Sequence, residues 1–128
     1  MFDLVLDGSP RIEVASQRHR YAFATDGSLP NPLESTYAAL AGCAGVYARK
    51  ACRELGVDEA GIAISTRVIA SAARPLMPER IVTIVNFPAR FDDSQRAAVR
   101  AAIGRCAVKA LLAEGARIEF VVEEATLA

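Results

Sequence analysis

Read from the N-terminus, the chain opens with short runs in which apolar and polar residues alternate. Residues 2–6 and 11–15 are two such runs, parted by Asp7-Gly8-Ser9-Pro10, and this pattern predicts strands around a hairpin turn. Residues 19–24 alternate in the same way and stop at Asp26-Gly27-Ser28. The period then changes. Leu29-Pro30-Asn31-Pro32 is a breaker cluster, with Asn31 placed to cap a helix and Pro32 suited to its first position. From Leu33 to Leu55 there is no proline, alanine is abundant, and Gly56 supplies the stop. One long helix is expected there.

The second half predicts two strands, over 61–70 and 79–87, joined by Ala72-Ala73-Arg74-Pro75-Leu76-Met77-Pro78. Asp92 or Asp93 caps a helix to about Ile103, with Arg96 and Arg100 spaced for one solvated face. Gly104 interrupts, a second helical stretch runs from Arg105 to Ala113, Gly115 ends it, and residues 116–123 read as a closing strand. The order is three strands, a helix, two strands, two helices and a strand. Without a βαβ or other internal repeat, an α+β fold of one domain over 1–128 is expected.

The long helix is unusual in having almost no bulk at its centre: Ala38, Ala39, Ala41, Gly42, Ala44, Gly45, Ala48 and Ala51. Each internal glycine costs roughly 1 kcal/mol against alanine in a helix. So small a surface predicts close approach by another backbone and burial in the middle of an assembly.

Composition narrows the function. The chain has 128 residues with 52% apolar content, enough for one core. Fifteen basic and fifteen acidic residues cancel, and the arginines are scattered, so neither a nucleic acid nor an anionic membrane is an expected partner. No apolar run approaches the roughly 20 residues that cross a bilayer. An acid, Asp3, stands where a signal peptide carries a basic region, so the cytosol is the expected compartment.

Three cysteines, with no C-x-x-C spacing, argue against a disulfide scaffold or a zinc site, and the lone His19 leaves little for a histidine-based metal or Ser-His-Asp site. No metal or cofactor is expected. Cys43 sits near the middle of the long helix, and Cys106 opens a helical stretch, where a thiolate is favoured. Cys52 lies nine residues beyond Cys43, on the opposite face and roughly 13 Å along the axis. Those two cannot bond, which leaves Cys43 with Cys106, or Cys52 with Cys106.

The segment Asn31-Pro32-Leu33-Glu34-Ser35-Thr36-Tyr37-Ala38-Ala39-Leu40-Ala41-Gly42-Cys43 resembles the signature of the OsmC/Ohr family, in which a Pro and a Glu open the central helix and an Ala-rich run ends in a reactive cysteine. Arg105-Cys106-Ala107-Val108-Lys109-Ala110-Leu111-Leu112, followed by Ala116-Arg117-Ile118-Glu119-Phe120, resembles the family's second cysteine segment and last strand. The resemblance implies an intertwined homodimer in which β-sheets wrap two long central helices. It also implies reduction of organic hydroperoxides, with Cys43 as the peroxidatic residue, Cys106 as the resolving one and a dithiol as reductant.

Two departures stand beside it. The family's well-characterised hydroperoxide reductases place Glu directly after Pro, whereas here Leu33 intervenes, as in some OsmC-like branches with a Pro-x-Glu order. Glu34 is nine residues from Cys43, so it points away within its own helix and would act on a partner subunit's site, or else simply favour the helix dipole. No arginine falls on the family's N-terminal position, where Arg11, Arg18 and Arg20 are the candidates. These departures keep open a rival reading, a non-catalytic dimer that binds a small apolar ligand or a protein partner.

Overall fold

The computed structural model describes residues 1–123. Its elements are β1 (Arg11–Ala15), β2 (Arg20–Ala24), α1 (Pro32–Leu55), β3 (Ala63–Ala70), β4 (Pro78–Asn86), α2 (Asp93–Gly104) and α3 (Ala107–Glu114). This is the mixed α+β architecture the sequence predicts. The strands form two separate antiparallel pairs, β1 with β2 and β3 with β4.

Local chemistry accounts for the boundaries. The Asn31 side chain accepts from the Glu34 amide at 2.9 Å, and Pro32 begins α1, where a missing N–H costs no helical hydrogen bond. Gly56 ends α1 at φ 71°, a left-handed conformation that a side chain would strain. Asp92 caps α2 through a reciprocal pair of bonds: its carboxylate accepts from the Gln95 amide, and its own amide donates to the Gln95 side chain.

The core is the seam between α1, α2 and β3. Ala48, Ala51 and Cys52 of α1 meet Val99 and Ala102 of α2, and Phe91 closes one end. Ile64 of β3 and Phe87 pack against this cluster. The small α1 residues let the two helices come together, which answers part of the expectation of close packing. Gly42 and Gly45, however, have nothing near them: a Cβ built on either would meet no atom within 4 Å. Val46, on the same side, is 63% exposed. Within one chain α1 is therefore covered along one stripe and bare along another.

Three expectations change. Residues 2–6 form no strand; only Asp3 pairs with Ala15, through two hydrogen bonds of 2.9 Å. Residues 116–123 are not a strand either, although Ile118, Phe120 and Val122 keep their alternation and stand exposed. In both cases the pattern records a strand-forming preference, while no neighbouring strand within the described chain completes the ladder. Arg96, assigned to a solvated face, instead folds inward. Its Nε donates to the Phe91 carbonyl at 3.0 Å, and its guanidinium lies 5.9 Å from the Phe87 ring centroid. Arg100 is exposed as expected.

Candidate functional site

Cys43 and Cys106 come from distant stretches of the chain, and the fold brings them together. Cys43 lies on α1 one residue before the buried Ala44, which turns its side chain to the edge of the covered stripe and leaves it half-buried. Cys106 is delivered by the break between α2 and α3. Its amide donates to the Ile103 carbonyl at 3.0 Å, and its carbonyl accepts from Ala110, so it stands at the N-cap of α3. The Cys106 thiol lies beside Cys43, near enough for that neighbour to raise its pKa. Of the two pairings that spacing leaves open, the structure brings together Cys43 and Cys106.

Their surroundings differ. Cys106 is 1% exposed, and burial pushes its thiol above the ordinary 9.0, with the neighbouring Cys43 adding to the effect. The amides of Val108 and Lys109 work against this by favouring the thiolate, but neither makes a full capping bond to the sulfur. Burial wins. The Cys106 thiol gives up its proton less readily than an ordinary thiol.

An open cavity of about 660 Å³ adjoins the pair. Leu40, Met77, Ile81, Ile103 and Leu112 give it apolar walls, and the Cys106 side forms part of its lining. Arg80, Lys109 and Glu79 supply charge, two cations against one acid. The Lys109 ammonium also donates to the Gly104 carbonyl at 3.2 Å. Sequence reading missed Arg80 and Lys109 as site residues. The only signal for Lys109 was its place three residues after Cys106, and Arg80 had none, because strand pairing and helix packing together carry it to this wall.

The other predicted residues lie elsewhere. Glu34 is exposed in the first turn of α1, away from Cys43 along the axis. The N-terminal arginines sit on a hairpin whose main packing is between its own strands. Arg20 binds Glu13 at 2.6 Å, Arg11 reaches the same carboxylate at 3.5 Å, and Arg18 is exposed. Cys52 belongs to the core. Among the described residues no cluster of His, Cys, Asp and Glu could hold a metal ion, and no helix is long and apolar enough to cross a membrane.

A family model for OsmC-like protein matches residues 25–121, a span that contains both cysteines and the cavity wall. The chain belongs to this family. Solved structures agree on the fold of the OsmC-like chain. An OsmC-like protein from Mycoplasma pneumoniae superposes with a TM-score of 0.71 at 12% identity, covering 88% of this chain and 86% of its own. A protein from Psychrobacter arcticus assigned to osmotic stress induction and detoxification response gives 0.68 at 16% identity, covering 84% and 83%. No curated protein matches.

Proposed function

We propose that this OsmC-like chain is a thiol-dependent peroxidase that reduces organic hydroperoxides. The contact between the Cys43 and Cys106 thiols carries the reading. A peroxidase of this kind needs one sulfur that substrate can reach and a second poised to condense with its oxidised form. Half-buried Cys43 and enclosed Cys106 have that division of exposure.

In the proposed cycle the Cys43 thiolate attacks the outer oxygen of the hydroperoxide. The O–O bond breaks, the alkoxide takes a proton and leaves as an alcohol, and Cys43 becomes a sulfenic acid. The Cys106 sulfur then attacks the Cys43 sulfur, the S–O bond breaks, and water departs as the disulfide forms. A dithiol returns two electrons and becomes a disulfide itself. The steps need no metal or organic cofactor.

A homodimer is the proposed assembly. A two-stranded hairpin is marginal by itself in water, and here there are two, β1–β2 and β3–β4. The bare face of α1 at Gly42, Gly45 and Val46 and the exposed apolar ends at Phe2, Leu4, Ile118 and Phe120 supply surface for a second copy. In that dimer the exposed Glu34 would serve the partner's site rather than its own. Light scattering of the eluted protein measures the assembly directly.

The deciding experiment treats reduced protein with one equivalent of an alkyl hydroperoxide and maps the products by mass spectrometry. Wild type should form a Cys43–Cys106 bond, and Cys106→Ser should hold a sulfenic acid on Cys43 that a dimedone probe captures. Unchanged thiols in a folded protein would overturn the proposal. The cavity supports a second reading, in which an apolar ligand binds there and the thiols stay silent. In that case a ligand would raise the melting temperature equally in wild type and Cys43→Ser, with no peroxide consumed.

A further inference from the structure

Both half-reactions of the proposed cycle must use whatever opening reaches the sulfur pair. A thiol that reopens a disulfide bonds to one sulfur and expels the other, and access helps decide which one it meets. The two sulfurs are unequal in this respect. Cys106 is 1% exposed, so although it stands along the 660 Å³ cavity it shows that space almost none of its surface. Cys43 is half-buried, and Ala39, one helical turn before it on the same side, is exposed and carries only a methyl group. Peroxidase chemistry already requires Cys43 to be open to hydroperoxide. Cys106, enclosed as it is, gives the pair no second opening among the described residues.

We propose that the reducing thiol enters past Ala39 by the hydroperoxide's own route, attacks the Cys43 sulfur of the Cys43–Cys106 disulfide, and expels Cys106 toward the first turn of α3. The inference rests on the peroxidase reading for the existence of that disulfide, and adds which sulfur is attacked and which departs. One opening then serves both reactants in turn. Cys43 carries each of them, oxygen first and the reductant's sulfur second.

The place of Cys106 suits a departing sulfur. It is the N-cap of α3, where the amides of Val108 and Lys109 favour its thiolate. Burial works the other way and makes Cys106 a slower leaving group than an ordinary thiol. That handicap slows attack at Cys43 without opening Cys106 to attack. Access decides. Electrons and protons balance with a dithiol. Its first sulfur, as a thiolate, bonds to Cys43 as the Cys43–Cys106 bond breaks, and Cys106 leaves with the electron pair and takes up a proton. Its second sulfur then attacks the first, closing the reductant's own disulfide and releasing Cys43 as the thiolate that meets the next hydroperoxide.

The test begins with protein oxidised by diamide, so that the bond is made without relying on peroxide chemistry. A brief pulse of 2-mercaptoethanol is quenched in acid, free thiols are alkylated, and the mixed disulfide is located by mass spectrometry. The adduct is expected on Cys43 with Cys106 alkylated; an adduct on Cys106 with Cys43 alkylated would overturn the assignment. Failure of diamide to close the bond would instead sink the cysteine pairing on which the peroxidase reading stands. A second arm narrows the approach with Ala39→Leu, a good helix former at an exposed helical position, so the fold is kept. Oxidation of the reduced variant by hydroperoxide and reduction of its disulfide by dithiothreitol should both slow, each about tenfold, as blocked approach to a reacting atom does. Slowing of one half-reaction alone would show two separate routes, and slowing of neither would place the approach elsewhere; either result defeats the proposal.

Discussion

The two halves of α1 carry the same residue type in opposite circumstances. Cys52 is completely enclosed by Ala48, Phe91, Val99 and Ala102, with no second sulfur in its cluster. Cys43, two and a half turns earlier, is half-buried, touches another thiol and stands beside a cavity wall. The helix backbone is equally regular at both, so the neighbours make the difference. At the Cys52 end α2 lies flush against α1 and leaves no room for a reactant. At the Cys43 end the chain breaks at Gly104–Arg105 and turns into α3, and that break both positions Cys106 and leaves space around it.

The largest expected effect tests this contrast directly. Cys43→Ser should lower hydroperoxide consumption at least about a hundredfold, as loss of a nucleophile does, whereas Cys52→Ser should stay within about twofold. A coupled peroxidase assay distinguishes them, and equal losses would erase the contrast. Stability should show the reverse order. Val99→Ala, at the sealed end, should cost about 1–3 kcal/mol through lost methyl burial and the void left behind. Cys52→Ser should cost a similar amount, about 1–3 kcal/mol, because a hydroxyl enters an apolar site. Urea unfolding of each, beside Cys43→Ser with its smaller shift, measures the difference.

A cap lies at the mouth of the sealed region, and Asp92→Ala should lower stability by about 1 kcal/mol in the same unfolding assay. The smallest effect is in pH. Burial, with help from the Glu59 carboxylate, holds the Cys52 thiol above its ordinary 9.0. The native state therefore keeps this proton longer than the unfolded state. That contribution to stability is complete below about pH 9 and is lost as the pH rises through the folded-state value. Urea midpoints taken from about pH 8 to about pH 10 should fall more steeply for wild type than for Cys52→Ala.

Much of this architecture was legible because its punctuation is local. Asn31, Pro32, Gly56 and Asp92 each act on backbone groups within a few residues, so the helix ends could be read where they stand. The terminal runs fail for the opposite reason. Alternation at 2–6 and 116–123 describes how a strand would present its faces, but a strand also needs a neighbour, which the run itself cannot name. Arg96 shows the same gap for a side chain, since its i,i+4 spacing with Arg100 gives no hint of Phe87 and the Phe91 carbonyl. The choice of Cys106 for Cys43 came from family likeness rather than from spacing. The cavity had no sequence trace at all, because its walls are assembled from α1, β4 and the α2–α3 break.

The contact between Cys43 and Cys106 has a mechanical side. A bond there would tie the middle of α1 to the start of α3 and enclose β3, β4 and α2 in one loop of chain. A loop of that length restricts the unfolded chain by about 4 kcal/mol on the entropy account of cross-links. The oxidised molecule would then resist unfolding far more than the reduced one with hardly any change in shape. Each turnover would briefly fasten half of the chain shut, and the reductant would be what lets it loosen.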